Sequence, residues 1–386
     1  MLDARELDFA LRHIDTLGPT QKERVLGLLE EREKLRKLQE AREYFLPFVR
    51  MVWPEFIAGA HHVLMAEAFE DVANGKLKRL IIDMPPRFRL ALNTPIATTE
   101  GWKTMATVAA GDYVFSPSGA PVLVTGKSDV YEEDLYAVET TDGQVVECDA
   151  THLWSVRWGG NERPFMTMST AEIAAKTTGE KWARNNNPPK LPLVEPVEYP
   201  ERNLLIPPYV LGAWLGDGAS ASGTMAAHPD DAQFIRARFE TSGIPTADLQ
   251  GKMIFGTKTL RIKLRDIGVL HDKHIPQEYL TACTAQRLAL LQGLMDTDGS
   301  VSSEGKCTFH NSNKRLMDDV LELVHSFGLK ARITRRQTHY KHLVSKLSYR
   351  LSFKMAGAAS LPRKAVRCRS IGGNYARSIS VARTGR

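Results

Sequence analysis

Two short stretches of the chain carry the same pattern: residues 209–218 read YVLGAWLGDG, and residues 290–299 read LLQGLMDTDG. Each is an apolar, helix-forming run that ends in Asp and Gly, and a small residue in its middle lets a second helix backbone approach closely. The repeat places one acidic residue, Asp217 or Asp298, at the end of each helix. The sequence therefore predicts two equivalent halves whose paired helices deliver two carboxylates to one place.

The chemistry of such a pair follows from its charge. A helix C-terminus already carries partial negative charge, so two carboxylates brought together there repel each other and the helix ends. A divalent cation relieves that repulsion, and an oxygen-only ligand set favours Mg²⁺. A metal held between two acids beside a DNA phosphate is suited to phosphodiester hydrolysis. The alternative is that each stretch is a glycine-capped helix end with a solvated Asp, but two copies together favour the paired site.

These stretches resemble the two signature helices of the LAGLIDADG homing endonucleases in their single-chain form, and the resemblance extends over residues 204–357. GVLHDKHIP resembles the family's lysine-bearing segment, and CTFHNSNKRLMDDVLELVHSFGLKARI resembles its strand, helix and strand. The resemblance implies an α+β domain of two pseudo-symmetric halves that cuts double-stranded DNA as a monomer. It also implies that Asp217 and Asp298 bind Mg²⁺, and that Lys273 stabilises phosphate charge or orients water.

The DNA-contacting surface is expected on strands whose alternate residues are basic or polar. TLRIKLR, residues 259–265, alternates apolar with basic residues and predicts one such strand, and residues 331–354 predict a hairpin. For any single side chain, a solvated charged sheet face is the alternative. The predicted DNA contacts are Arg261, Lys263, Arg265, Arg332, Arg335, Arg336, Lys341, Lys346, Arg350 and Lys354.

Residues 89–203 have short β runs broken by Gly, Pro and Asp, which predicts an all-β segment. RLALNTPIATTEGWKTMATVAAGDYVFSPSG and VVECDATHLWSV resemble the first two blocks of an intein, the self-splicing Hint fold. The resemblance implies that His152 protonates or hydrogen-bonds the leaving amide as acyl transfer begins. A histidine that follows a strand is otherwise more often structural.

Three departures from the intein pattern argue against splicing. Arg89 stands where a first-residue Cys or Ser is usual, Asp149 stands where Thr is usual, and the sequence ends at ARTGR without a His-Asn pair. Trp154 matches an intein class that attacks through an internal Cys, for which Cys368 is the only nearby thiol. We expect no excision of an internal segment. A degenerate intein that binds DNA without cutting or splicing is one alternative to the endonuclease.

Residues 1–88 predict helices followed by a short apolar strand at residues 80–82 and a Pro-Pro turn. REYFLPFVRMVWPEF and HHVLMAEAFEDVANGKLKRLIIDMPPRF resemble the start of the large terminase subunit, the phage DNA-packaging motor. At the corresponding position, the family continues into a phosphate loop that ends in Gly-Lys-Ser/Thr. In this sequence those residues do not follow Phe88. The alternative of a packaging ATPase is therefore disfavoured, and the uninterrupted terminase gene is the expected DNA target.

The overall composition sets the class of protein. The 386 residues carry a formal charge of +6, which fits a nucleic-acid partner. The four cysteines form neither a zinc pattern nor a disulfide framework, and we find no signal peptide, so we expect a cytoplasmic protein.

We therefore predict a multi-domain chain. Its parts are a helical terminase fragment leading into an α/β ATPase strand at residues 1–88, an all-β Hint-like domain at 89–203, the α+β endonuclease at 204–357, and an incomplete intein tail at 358–386 that returns toward the Hint-like domain.

Overall fold

The computed structural model describes residues 18–54, 60–77, 90–128, 130, 132–160, 162–177, 188–248, 254–256, 258–340, 343–369 and 377–383. The chain divides into two units, Met1–Pro85 and Pro86–Arg386. Across the described ranges, none of the helices is both long enough and apolar enough to cross a membrane.

The described part of the first unit consists of helices and their short connections. Its helices are α1 (Pro19–Glu43), α2 (Phe45–Val52) and α3 (Ala60–Ala73). Charge pairs at helical spacing line α1, for example Arg36 with Glu33 at 2.8 Å between nitrogen and oxygen. Helices α2 and α3 meet where the ring centroids of Phe45 and Phe69 lie 5.2 Å apart. The strand predicted at residues 80–82 lies outside the described residues.

The second unit begins with a region of short strands at residues 90–191, called here the β region. Its elements are β1 (Pro95–Thr98), β2 (Gly101–Thr104), β3 (Tyr113–Phe115), β4 (Pro121–Leu123), β5 (Leu135–Thr140), β6 (Val145–Asp149), β7 (Leu153–Val156), β8 (Met166–Ser169), α4 (Thr170–Thr177) and β9 (Lys190–Leu191). Antiparallel hairpins join β3 to β4 and β5 to β6. Their turns contain Gly119 (φ 83°) and Gly143 (φ 90°), in the left-handed conformation that these turns require.

The all-β prediction for this segment is wrong at α4. Ser169 and Glu172 form a capping box: the backbone N–H of Ser169 donates to the Glu172 carboxylate at 2.7 Å, and that of Glu172 donates to the Ser169 hydroxyl at 3.3 Å. Ile173 is fully buried on the inner side of the helix. The helix thus begins with a strong local signal, although it is only two turns long.

Residues 204–369 form a second region, called here the α/β region, in which the predicted repeat is visible. The first half contains α5 (Pro208–Asp217), β10 (Thr224–Ala226), α6 (Pro229–Thr241), β11 (Ala247–Asp248), β12 (Ile254–Gly256) and α7 (Lys258–Asp266). The second half contains α8 (Gln277–Leu280), α9 (Thr284–Asp296), β13 (Gly299–Val301), β14 (Cys307–Asn311), α10 (Lys314–His325), β15 (Arg332–Tyr340), β16 (Leu343–Phe353) and α11 (Pro362–Ala365). In each half a signature helix, α5 or α9, is followed by a small sheet and an outer helix, α6 or α10.

One core joins the two halves. Its centre is formed by α5 and α9, and α5 is buried at every position from Tyr209 to Leu215. This burial explains why α5 is apolar on all sides, which is unusual for a surface helix.

The strand predicted at residues 259–265 is wrong, because this segment is helix α7. Leu260 and Leu264, one helical turn apart, are both fully buried, whereas Ile262 is 54% exposed. Strict alternation of apolar residues also satisfies a spacing of four, so the pattern fits a strand and a helix equally well. The core accepts the two leucines and leaves the isoleucine outside, and the segment is therefore helical.

The hairpin predicted at residues 331–354 is confirmed as β15 and β16, in a four-stranded sheet of order β13-β14-β16-β15. The sheet packs one face against the core through Phe309, Leu351 and Phe353, each no more than 1% exposed. The opposite face is therefore turned away from the core.

The tail returns to the β region, as the sequence predicts. Its strand β17 (Arg377–Arg383) lies between β5 and β9, with Ile379 opposite Thr140 and Arg383 opposite Tyr136. Ile379 is 1% exposed and belongs to the small core of the β region.

Candidate active site and nucleic-acid interface

The signature helices α5 and α9 touch through their backbones. A Cβ atom on Gly212 would lie 2.1 Å from the carbonyl oxygen of Leu290, and one on Gly293 would lie 2.2 Å from a carbonyl oxygen of α5. At the helix ends, a Cβ atom on Gly216 would lie 2.0 Å from the hydroxyl oxygen of Thr297. No side chain fits at these positions, so the expectation that small residues bring the two helices together is confirmed.

This crossing brings Asp217 and Asp298 together. Asp217 is the last residue of α5, and Asp298 follows the end of α9 by two residues. Burial, and then repulsion from the nearby Asp217 carboxylate, raise the pKa of Asp298 to about 6. The side-chain amide of Asn311 donates to Oδ2 of Asp298 at 3.2 Å. The two acids thus form a partly buried pair whose carboxylates repel each other.

Lys273 joins this pair. Its Nζ donates to the carbonyl oxygens of Leu215 and Gly216, at 3.0 and 3.1 Å, which are the last carbonyls before Asp217. It also lies 5.0 Å from the ring centroid of Trp214. Burial lowers the pKa of Lys273 to about 8, against the attraction of the two aspartates, which acts to raise it. The lysine and both acids therefore occupy one site.

The donor set of this site suits Mg²⁺. Asp217 and Asp298 offer oxygen ligands only; burial, and then repulsion from Asp217, raise the pKa of Asp298, and a cation would relieve the repulsion. No cluster of three or more His, Cys, Asp or Glu that could hold a metal occurs within the described part of the chain. Two carboxylates nevertheless suffice for Mg²⁺, which keeps several waters and binds substrate phosphates in such sites. The residues present fit the ion.

The structure adds a second lysine that the sequence did not single out. Lys364 of α11 is 6% exposed, and its Nζ donates to the carbonyl oxygens of Met295, Asp296 and Gly299 at 2.9, 2.8 and 2.7 Å. Lys364 therefore caps the end of α9 as Lys273 caps the end of α5. The available signal was the basic stretch LPRKAV, which lies in a tail without an apolar pattern.

Part of the predicted DNA surface lies on the outer face of the hairpin. Arg350 is opposite Thr334 on β15 and His310 on β14, so these side chains share one face. Arg332 and Arg336 lie on the same face by strand alternation. Burial, and then the charges of Arg350 and Arg336, lower the pKa of His310. This surface of four basic side chains, Arg332, Arg336, Arg350 and His310, is called here the basic face.

The other predicted DNA contacts are placed differently. Arg335 is exposed but lies opposite Tyr349 on the core-side face of the hairpin, so it is not part of the basic face. Lys354 follows the last residue of β16. Arg261 and Arg265 are exposed and Lys263 is half-buried on helix α7. Lys341 and the side chain of Lys346 lie outside the described residues.

The β region holds the predicted splicing residues at one place. His152 is 6% exposed, its ring centroid lies 4.6 Å from that of Trp154, and burial lowers its pKa. Asp149 accepts from the backbone N–H groups of Thr151 and His152 at 2.9 and 2.7 Å, so it holds the turn that presents His152. The indole N–H of Trp154 donates to the hydroxyl of Thr170 at 3.0 Å.

The two ends of the predicted splicing element differ in what the structure describes. Arg89 lies outside the described residues, but Leu90 is paired with Cys148, close in sequence to His152. Cys368, the candidate internal thiol, packs against the core of the α/β region and hydrogen-bonds to the Lys364 carbonyl. It is not part of the core of the β region, so this placement does not support Cys368 as an internal nucleophile.

The comparison with protein families matches one part of this chain. A sequence model described as a LAGLIDADG-like domain matches residues 285–354, from α9 to the end of the hairpin. The predicted resemblance is thereby confirmed for the second half of the α/β region.

The chain is also similar to individual proteins. It is 35% identical over 297 residues to the replicative DNA helicase DnaB of Mycobacterium intracellulare. The aligned segment covers 72% of this chain and 49% of that protein. The chain thus spans about half the length of this curated relative. The relative is named as a helicase rather than a terminase, so the terminase host stays a prediction.

Two solved structures are similar to parts of the chain. One is the Msm DnaB1 intein splicing domain bound with zinc, at 38% identity, 21% coverage of this chain, 60% of that chain and a TM-score of 0.19. The other comes from work on mesophilic variants of the homing endonuclease I-DmoI. It has 15% sequence identity, covers 40% of this chain and 90% of that chain, and has a TM-score of 0.28. Both TM-scores are below 0.5, so neither likeness bears on the fold of the whole chain.

Proposed function

We propose that the α/β region is a site-specific homing endonuclease that hydrolyses phosphodiester bonds of double-stranded DNA with Mg²⁺. The observation that carries this proposal is the convergence of Asp217, Asp298 and Lys273 at the ends of two glycine-packed helices. A purely structural helix pair has no need for two partly buried carboxylates side by side, because their repulsion destabilises it. The match of residues 285–354 to a LAGLIDADG-like domain supports the same function.

Each group of residues at the site has its own role in the proposed reaction. Asp217 and Asp298 would hold Mg²⁺, which supplies Lewis-acid stabilisation of charge on the scissile phosphate. Asn311 donates to Asp298 and keeps that carboxylate oriented toward the site. Lys273, with a pKa of about 8, is mostly protonated at neutral pH and stabilises negative charge on phosphate or orients the attacking water. The basic face binds the phosphate backbone and sets the register of the duplex.

We further propose that the β region and the tail strand form the splicing domain of an intein around this endonuclease. In support, His152, Trp154 and Asp149 lie together next to the strand that pairs with Leu90. Because Arg89 cannot act as a first-residue nucleophile, we propose that the usual first acyl shift does not occur at that residue.

The host is a separate part of the proposal. An alignment of 297 residues with DnaB cannot be accommodated within Met1–Pro85, so most of that similarity draws on the second unit. We attribute it to a shared inserted element rather than to a shared host. The first unit, by its resemblance at residues 42–88, is assigned to a terminase large subunit, and the uninterrupted terminase gene is the proposed DNA target.

A selection experiment tests the function without assuming the target. The protein is incubated with a library of randomised duplexes in Mg²⁺ or EDTA, and cut ends are captured and sequenced, with uninterrupted terminase and DnaB genes as defined additional substrates. We expect one enriched sequence family, in Mg²⁺ only, related to the terminase gene. Enrichment of the DnaB site would reassign the host. Salt-sensitive binding without any cut ends would favour a degenerate element that only binds DNA.

A further inference from the structure

The segment that carries Lys273 belongs to the first half of the α/β region but is held by α10 of the second half. The side-chain amide of Asn313 donates to the carbonyl oxygen of Lys273 itself at 2.7 Å. Two residues further on, the backbone N–H of Ile275 donates to the carboxylate of Asp319 at 2.8 Å. Two backbone groups of the segment, one at Lys273 and one just after it, are thus held by the N-cap and the first turns of one helix.

The side chain of Asn313 is held by a hydrogen bond at each end of its amide. Asn313 is the N-cap of α10, and its Oδ1 accepts from the backbone N–H of Leu316 at 3.3 Å, while its amide nitrogen is directed to Lys273. Arg315 of the same helix forms an ion pair with Asp272, the residue before the lysine. The Asn313 side chain therefore caps the helix and also hydrogen-bonds to the lysine segment.

The segment that carries Lys364 shows the converse arrangement. It belongs to the second half, yet Arg363 forms a two-point ion pair with Asp231 of α6, in the first half, with Nε 2.8 Å from Oδ1. The hydrogen bond to Arg363 lowers the pKa of Asp231, so the pair is ionised at neutral pH. Asp231 is 6% exposed and the side chain of Arg363 is 58% exposed, so the carboxylate is buried while the guanidinium reaches it from the surface.

We propose that each half of the α/β region positions the lysine of the other half, with Asn313 and Asp319 as positioning residues for Lys273 and Asp231, through Arg363, for Lys364. Each lysine donates to the carbonyls of its own signature helix, while its segment is anchored on the outer helix of the opposite half. Neither lysine is therefore in place until the two halves have docked. The inference rests on the proposed function, because it assigns the lysines a role in DNA cleavage.

The variant Asn313→Ser separates positioning from helix stability. Serine is as good an N-cap as asparagine, so α10 keeps its start, but the shorter side chain does not reach the Lys273 carbonyl. We expect single-turnover cleavage to slow about 10- to 100-fold, as for a misplaced catalytic group, with unchanged affinity for DNA. Asp319→Ala should slow cleavage similarly, whereas Asp319→Asn, which keeps an oxygen acceptor for Ile275, should restore most of the rate. Asp318→Asn, an exposed change on the same helix, is the control.

A double-mutant cycle distinguishes positioning from a general structural defect. If Asn313 acts through Lys273, then Asn313→Ser should change the residual rate of Lys273→Met by less than about 2-fold, because nothing is left to position. Equal slowing in both backgrounds would overturn the proposal.

Hydrogen exchange gives a readout that does not need cleavage. In the wild-type protein the amide of Ile275 should be protected, and Asn313→Ser and Asp319→Ala should speed exchange in residues 271–276 while Asp318→Asn leaves it unchanged. If the protein proves not to cut DNA, this measurement still decides whether α10 holds the segment. Unaltered exchange in both variants would contradict the proposal independently of the function.

Discussion

At the residue scale, the charge of Asp298 makes a direct prediction about stability. Its folded pKa of about 6 is above its ordinary value of 3.8, so its contribution to stability is fully present below about pH 4 and is lost as pH rises through 6. In EDTA at pH 7, Asp298→Asn should therefore stabilise the protein, by about 1–3 kcal/mol. Thermal unfolding measured between pH 4 and pH 8 checks this.

The control for the thermal unfolding of Asp298→Asn is a second carboxylate-to-amide change at an exposed position. Asp318→Asn removes an exposed carboxylate paired with Lys314 and should not reproduce the gain. Adding Mg²⁺ should stabilise the wild-type protein more than Asp298→Asn, since the variant lacks one metal ligand. An Asp298→Asn protein that is less stable than wild type at pH 7 in EDTA would mean that the two acids do not repel each other.

The residues of the site were predictable to different degrees. The two aspartates are visible in the sequence because the repeat marks them twice, and Lys273 was found through the resemblance. Lys364 was missed because its role depends on a tertiary contact: a buried lysine that donates to the end of α9 is indistinguishable, in sequence, from a solvated lysine in a basic tail. Only the fold brings α11 to that helix end.

At the element scale, the contact between α5 and α9 predicts a strong effect of a single methyl group. Gly293→Ala places a Cβ atom 2.2 Å from a backbone oxygen of α5, and neither backbone is free to move without the other. We expect a loss of stability of about 1–3 kcal/mol, and more if the helices must separate. Denaturant unfolding of the variant measures it.

Gly27→Ala is the matched control for that change. Gly27 lies within α1 and a Cβ atom there meets nothing within 4 Å, so the substitution should stabilise its helix by up to about 1 kcal/mol. Gly293→Ala with the stability of wild type would show that α5 and α9 are not in close contact in solution.

The basic face predicts which arginines of the hairpin matter for DNA. Arg350→Gln and Arg336→Gln should each weaken duplex binding and reduce the slope of log affinity against log salt by about 1, as expected when one phosphate contact is lost. Arg335→Gln, on the opposite face of the same strand, should change the slope little. Fluorescence anisotropy at several salt concentrations compares the three, and equal losses in all of them would contradict the assignment of faces.

The elements show where sequence patterns suffice and where they fail. The hairpin at residues 331–354 was predictable because its alternation extends over two long strands. The segment at residues 259–265 was not, because Leu260 and Leu264 satisfy both a spacing of two and a spacing of four, and burial against the core decides between them.

At the scale of the whole molecule, α10 connects the active site to the β region. Its N-cap and first turns hold the Lys273 segment. Near its other end, Glu322 accepts from the indole N–H of Trp102 in the β region at 2.8 Å, and the carbonyl of its C-cap, Ser326, accepts from the backbone N–H of Val197 in the connecting segment at 3.0 Å. These contacts were not predictable, since each joins residues that are distant in sequence and carries no local pattern. The return of the tail strand to the β region was predictable, because the intein resemblance implies it.

A buried ion pair between Arg377 and Asp142 holds the tail strand, and we expect its loss to destabilise the protein. Arg377 Nε lies 2.8 Å from Oδ2 of Asp142, whose side chain is fully buried. Burial acts to raise the pKa of Asp142, but its hydrogen bonds to Thr140 and Arg377 outweigh this and lower it. Arg377→Gln leaves a buried charge without its partner and should cost about 3–5 kcal/mol at pH 7.

The pH dependence of that loss follows from the same pKa. A lowered folded pKa means that the pair stabilises the protein at neutral pH and that this stabilisation disappears as pH falls through the pKa, so wild type and Arg377→Gln should converge in acid. Arg383→Gln, on the same strand but with a side chain 66% exposed, should have little effect. A difference between wild type and Arg377→Gln that stays constant from pH 7 to pH 3 would contradict the assignment.

The measurement that tests the central claim most directly is single-turnover cleavage of the selected duplex by wild type, Asp217→Asn and Asp298→Asn, with binding measured on the same samples. We predict that wild type cuts both strands in Mg²⁺ and neither in EDTA, and that each variant loses cleavage while keeping salt-sensitive binding, since the basic face is untouched. Cleavage by the wild-type protein in EDTA, or full activity in either variant, would contradict the assignment of the two aspartates as the metal-binding centre.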